Sequence, residues 1–306
     1  LTLLARFGGI PGLSRLRSDA MLARTLLGAL LLFGACADDG AKKTPAVQQP
    51  APVAMAPTDA MPKSDSEDHV AKAVPKTRIE TIQFPAEDGL LVTADLYLWH
   101  EQDAPFVVLF HQAGWSRGEY KEIAPKLGEL GFNCMAVDQR SGDAVNDVKN
   151  ETFALAKSKK LPTAFLDALP DMRAALTLVK TRFPDAQRIA WGSSYSAALT
   201  LVLAGQEPDL MDAALAFSPG EYFGRFGKSK TFVEDAAKLI EAPVFITSSK
   251  SEHKAWKSIF AAIPSKTKKS FVPETSGNHG SRALWKKHSD SEQYWGAVKS
   301  FLEDLP

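Results

Sequence analysis

The residues best arranged for chemistry lie in Gly192-Ser193-Ser194-Tyr195-Ser196. An apolar run, Arg188-Ile189-Ala190-Trp191, precedes them, and the helix-compatible run Leu199-Thr200-Leu201-Val202-Leu203-Ala204 follows. Strand, tight turn and helix form the setting in which a small-x-Ser-x-small stretch becomes a nucleophile elbow. The turn strains the central residue and lifts its hydroxyl above the sheet. The small residues, here Gly192 and Ser196, let strand and helix approach, which makes Ser194 the candidate nucleophile. Such a serine performs acyl transfer. Its hydroxyl is a weak nucleophile until an imidazole takes its proton, and the imidazole needs a third group to orient it.

Of the six histidines, His279 has the setting this role requires. It sits in the glycine-rich loop Gly277-Asn278-His279-Gly280, from which a ring can swing over the edge of a sheet. His69 falls in a polar N-terminal stretch, His100 at a strand end, and His253 and His288 in helical surroundings. His111 is expected to pack or hydrogen-bond beneath a loop. That loop, His111-Gln112-Ala113-Gly114, follows a continuous apolar run at 105–110. Acyl transfer also needs backbone N–H groups aimed at the developing oxyanion. The Tyr195 N–H, directly after the serine, supplies one, and that of Gln112 or Ala113 supplies the other.

Positioning these groups requires an alternation of strands and helices. Residues 79–84 and 90–98 read as an antiparallel pair around the turn Glu87-Asp88-Gly89. Apolar runs at 105–110, 132–137, 188–191 and 211–217 read as buried strands, the first of them buried on both faces, and 243–247 and 269–273 read as further strands. Helical spacing occupies 120–130, 164–182, 199–204, 231–240, 252–262 and 291–305. Residues 144–161, polar and rich in lysine, read as a surface excursion. With the loop at 223–228, whose Arg225 and Lys228 could favour an anionic substrate, the segment 141–161 is expected to line the mouth of the site. The pattern predicts an α/β fold with a mostly parallel central sheet and helices on both faces. In such sheets ligands sit beyond the carboxyl ends of the strands, where His111, Gln112, Ser194, Glu221, Glu252 and His279 all fall.

Over residues 77–306 the chain resembles the α/β-hydrolases, and most of all their dienelactone-hydrolase-like branch. The resemblance rests on His111-Gln112-Ala113-Gly114 after the third strand, on Gly192-Ser193-Ser194-Tyr195-Ser196, and on His279 after the last strand. It implies the order serine, acid, histidine, and an aspartate shortly after the strand at 243–247. The chain departs there, with Lys250-Ser251-Glu252, so that Ser251 takes the place of the aspartate. Glu252, one residue on and one methylene longer, is the first candidate for the acid. Glu221, after the preceding strand, is the second. The reading that follows is a serine hydrolase of carboxylic esters acting through an acyl-enzyme, with a small-molecule ester as substrate. The alternatives are a prolyl-oligopeptidase-like peptidase, for whose large N-terminal propeller the chain has no room, and a non-catalytic envelope protein on a hydrolase fold. Haloalkane and epoxide hydrolases would need an aspartate at the elbow, and dienelactone hydrolase itself a cysteine.

Composition agrees with this reading and excludes others. Among 306 residues, 36 basic and 36 acidic side chains cancel, which argues against a nucleic-acid partner. No metal-ligand spacing and no nucleotide or flavin motif occurs, and the expected mechanism needs no cofactor. Of the two cysteines, Cys134 lies in an apolar strand run. Cys36 ends a different feature. Residues 1–36 read as a signal region, with Met21-Leu22-Ala23-Arg24 ahead of a leucine-rich run too short to span a bilayer. The stretch before Met21 reads as an over-extended start or a longer basic region. Phe33-Gly34-Ala35-Cys36 resembles a bacterial lipobox, which makes Cys36 a lipidation site and anchors the protein to a membrane of the cell envelope. Residues 37–76, rich in Ala and Pro and poor in bulky apolar side chains, read as a disordered tether.

Overall fold

The computed structural model describes residues 78–306, so the expected signal region with Cys36 and the expected tether with His69 lie outside the described residues. Ten strands and seven α-helices make up the rest. Strands β1 (Arg78–Pro85) and β2 (Leu91–Leu98) form the expected antiparallel pair. Next come β3 (Phe106–Phe110), α1 (Ile123–Glu129) and β4 (Asn133–Val137). A two-residue pair, β5 (Ala144–Val145) and β6 (Val148–Lys149), leads to α2 (Glu151–Ser158) and α3 (Leu169–Arg182). Then β7 (Arg188–Ser193) runs into α4 (Tyr195–Gln206), followed by β8 (Ala213–Phe217) and α5 (Phe232–Ala237). The chain ends with β9 (Val244–Thr247), α6 (His253–Ala262), β10 (Lys268–Phe271) and α7 (Ser291–Glu303).

The main sheet has eight strands in the order β1-β2-β4-β3-β7-β8-β9-β10. β2 runs antiparallel to both β1 and β4, and every pairing from β4 to β10 is parallel. Side chains alternate across each strand. On β3, Phe106, Val108 and Phe110 therefore join the core under α3, α4, α5 and α6. Val107 and Leu109 join the opposite core, under α1 and α7. Every residue of β3, β4, β8 and β9 is buried, which explains their continuous apolar runs. The order places β7, and the turn at its end, between β3 and β8 in the middle of the sheet.

Cys134 is a buried free thiol on β4, and burial holds it well above the usual thiol range. Among the described residues no helix is long and apolar enough to cross a membrane. The segment 144–161 lies on the surface as expected, but it is tied to the sheet by side chains. Asn150 accepts the Phe153 N–H to cap α2, and its amide donates to the carbonyls of Trp115 and Gln139. Thr152 accepts the Thr93 N–H of β2. β5 and β6 pack on the turn at 117–120, and α2 on β2. This polar stretch is therefore built into the flank of the sheet through its side-chain amide and hydroxyl, which hydropathy does not register. It braces the loops at 111–120 and 138–143.

Candidate active site

The end of β7 is built for a sharp turn. Ser194 has φ 61° and ψ −120°, a conformation that strains any residue but glycine. Its N–H donates to the Phe217 carbonyl on β8 at 2.7 Å. A Cβ on Gly192 would come within 2.4–2.5 Å of the Ser196 carbonyl and the Ala197 backbone, so only glycine lets β7 and α4 approach this closely. Ser196, standing where a second glycine is common, fills its place with hydrogen bonds. Its Oγ accepts the Ser193 N–H at 2.9 Å and lies 2.8 Å from the Phe110 carbonyl. The elbow is thus tied to β3, and Ser194 is left partly exposed at its apex.

Glu252 and His279 meet above the same sheet edge. His279 Nδ1 and Glu252 Oε1 form a short hydrogen bond. Glu252 ends a 3-10 turn, Lys250–Glu252, that follows β9. Its other oxygen accepts the Ser218 hydroxyl at 2.9 Å and the Ser249 N–H at 3.3 Å. Burial on its own would push this carboxyl up. The hydrogen bond and charge of His279, with the two serine donors, outweigh burial and hold it at about 2. Glu221 stands elsewhere: its carboxylate accepts the N–H groups of Val233 and Glu234 at 2.9–3.0 Å and caps α5. The structure therefore brings Glu252 to His279 and occupies Glu221 with a helix terminus.

The histidine loop is pinned to the elbow strand. Gly280 N donates to Ser218 Oγ at 2.8 Å, and Ser281 N to Ser193 Oγ at 2.9 Å. Gly280 has φ 69°, and a Cβ there would meet Ser193 Oγ at 2.5 Å and Gln112 Oε1 at 2.7 Å. These contacts hold His279 next to the Ser194 turn, although no hydrogen bond joins the two side chains; such bonds often close only when substrate arrives. The Tyr222 hydroxyl lies beside Ser194 and donates to the Ser218 carbonyl at 2.7 Å.

The loop after β3 separates the two oxyanion candidates. Gln112 N donates to the buried Glu119 carboxylate at 2.8 Å. Among the described residues the Ala113 and Tyr195 N–H groups donate to no protein group, and Tyr195 opens α4, where helix donors lack partners. His111 is buried under the loop as expected. Its Nδ1 lies 2.8 Å from the Gln112 carbonyl, and its Nε2 accepts the Gln139 N–H at 3.0 Å. Burial pulls this imidazole down to about 4, so it stays neutral.

Sequence reasoning missed three side chains here: Ser193, Ser218 and Glu119. Ser218 has φ 56°, an uncommon conformation for serine, and links Glu252 to Gly280. Its position directly after a buried strand was a signal; its hydrogen bonds depend on strand order. The residues at the expected mouth divide. Phe165 stacks on Tyr195 at 4.7 Å, and Arg225 lies 4.6 Å over Phe165, so the loop at 223–228 does come to the elbow. Residues 144–158 face β2 and the turn at 117–120 instead.

No family model matches the chain, and no curated protein does. Solved structures do. The esterase Pf2001 of Pyrococcus furiosus superposes with a TM-score of 0.58 at 16% identity, over 75% of this chain and 93% of that one. A dienelactone hydrolase of Anabaena variabilis gives 0.59 at 10% identity, over 75% and 98%. Est1E of Butyrivibrio proteoclasticus, solved with ferulic acid bound, gives 0.56 at 15% identity, over 73% and 98%. What the chain shares with them is the α/β-hydrolase fold.

Proposed function

We propose that the protein is a serine hydrolase that cleaves carboxylic esters through an acyl-enzyme. The observation that carries this reading is the Glu252–His279 hydrogen bond, on a loop that is bonded to Ser193, the residue before the strained Ser194. Ser194 Oγ attacks the ester carbonyl carbon as His279 Nε2 takes its proton. Glu252 holds the imidazole by Nδ1 and stabilises the imidazolium. The N–H groups of Tyr195 and Ala113 receive the oxyanion. Collapse of the tetrahedral intermediate breaks the bond to the alcohol oxygen, and His279 returns the proton to that oxygen. Water, deprotonated by the same imidazole, then attacks the acyl carbon, the bond to Ser194 Oγ breaks as His279 returns the proton to that oxygen, and the acid leaves. The neighbouring structures named as esterases support this chemistry, and the serine at the elbow favours it over a cysteine-dependent lactone hydrolase.

Labelling of the full chain with a fluorophosphonate tests the reading. Wild type is expected to label and Ser194→Ala not to label while remaining folded by circular dichroism. A folded wild type that does not label overturns it.

A further inference from the structure

Glu119 is a buried carboxylate beside the elbow that the mechanism above leaves unused. It lies in the turn Arg117–Tyr120 and is 0% exposed. One oxygen accepts the Ser193 hydroxyl at 2.7 Å, and the other accepts the Gln112 N–H at 2.8 Å. Its own carbonyl accepts the Trp285 indole N–H at 2.9 Å. Ser193 precedes the nucleophile, and its Oγ also accepts the Ser281 N–H from the histidine loop. One buried side chain therefore joins the loop after β3, the elbow and the histidine loop.

A buried carboxylate costs several kcal/mol in desolvation unless its hydrogen bonds offset it. Burial pushes Glu119 up to about 7, opposed by the Gln112 N–H, the Ser193 hydroxyl and the charge of Arg282. Arg282 reaches in from the turn after the histidine loop, and its Nε has no hydrogen-bond partner among the described residues. Tyr120 and Tyr195, the other titratable groups facing Glu119, are both fully buried and held well above the usual tyrosine range. Packing alone would be served by an apolar side chain of similar volume. A carboxylate is distinguished by accepting two hydrogen bonds at once, and both of its donors belong to segments that flank the reacting atoms.

We propose that Glu119 is a positioning residue: by accepting the Gln112 N–H and the Ser193 hydroxyl together, it sets the Ala113 N–H against Ser194 and so shapes the oxyanion hole. This rests on the hydrolase reading above. Holding the Gln112 N–H turns that donor away from substrate and leaves Ala113 as the donor. A glutamine in its place has one acceptor oxygen and can satisfy only one of the two donors. The Ala113 contact gains strength as charge develops on the carbonyl oxygen, so its loss lowers kcat and leaves KM in place.

The test compares the full-length wild type with Glu119→Gln in two measurements. The first is hydrolysis of p-nitrophenyl acetate. The expected result is a fall in kcat of about 10- to 100-fold, the scale of a weakened oxyanion donor, with KM within about twofold. The second is hydrogen exchange of the Gln112 amide by NMR, expected to speed up by about tenfold or more, because its N–H either loses its acceptor or bonds to an uncharged amide oxygen in place of a carboxylate. An unchanged kcat in an active background overturns the proposal, as does an unchanged Gln112 amide. Failure of the hydrolase reading appears separately, as a wild type inert to ester and fluorophosphonate, and the amide measurement then decides the role of Glu119. Should Glu119→Gln not fold, Ser193→Ala removes one of the two donors with less disruption, and the same kcat and KM pattern is expected at reduced size.

Discussion

At the scale of single residues, the site turns on which carboxylate faces which donor. Glu252 stands one residue beyond the place where an aspartate was expected, and its extra methylene closes the gap to His279. Glutamine at 252 would present an amide in place of the carboxylate and favour the wrong imidazole tautomer. Glu252→Gln is therefore expected to lower kcat by roughly 10³- to 10⁴-fold. Glu221→Gln, which touches only the cap of α5, should keep kcat and lose about 1 kcal/mol of stability. Ester kinetics and urea unfolding on the pair separate the two roles. The two site carboxylates also act on stability in opposite senses. Glu252, depressed to about 2, stabilises the fold above the usual carboxylate range, and its contribution is lost only as pH falls toward that value. Glu119, raised from 4.5 to about 7, binds its proton more tightly folded than unfolded. Its contribution is fully present below about 4.5 and fades as pH rises through about 7, a swing of about 3 kcal/mol if the whole shift is expressed. Asp138, raised by burial to about 6, titrates in the same interval, so urea titrations at pH 4.5 and 7.5 are expected to show a wild-type loss that is smaller, not absent, in Glu119→Gln.

At the scale of elements, the β7–α4 junction decides whether Ser194 stands up. The turn holds because Gly192 leaves room for the Ala197 backbone and Ser196 bonds back to Ser193. Gly192→Ala places a methyl group against backbone atoms that cannot rotate away. The expected cost is about 3 kcal/mol or more, read as a lower thermal midpoint or as loss of soluble protein. Unchanged stability would mean that strand and helix can separate at the elbow. The segment at 144–158 carries a different lesson for elements: its Asn150 and Thr152 bond to backbone groups far away in sequence, and no period in its own residues announces that.

At the scale of the whole molecule, a buried ion network locks the loop after β4 to α3 and to the β1–β2 turn. Arg140 is 2% exposed and reaches both Asp171 at 2.6 Å and Asp88 at 2.5 Å. The Arg140 N–H adds a further bond to Asp171 at 2.9 Å. Removing the cation leaves Asp171, itself fully buried, without its charge partner. Arg140→Met is expected to cost about 3–5 kcal/mol in chemical denaturation. Replacing the network in concert, with Asp171→Leu added, should recover part of that loss.

The alternation of apolar runs and helical spacing determined the α/β class, the antiparallel pair at the start and the parallel strands after it, because burial on both faces leaves its mark in every residue of a strand. The elbow, the histidine loop and the loop after β3 were legible for a local reason: each is a short run whose small residues and chemical groups lie side by side. Which carboxylate meets His279, and which N–H after β3 is left unbonded, were decided only in three dimensions. Glu252 and Glu221 have similar sequence surroundings, and one reaches the histidine while the other caps a helix because β9 and β8 deliver them to different points along the sheet edge. Glu119 was invisible for the same reason. Its partners, Ser193 and Ser281, lie 74 and 88 residues apart in the pairs Glu119–Ser193 and Ser193–Ser281, and only the neighbouring of β3 and β7 brings them within a hydrogen bond.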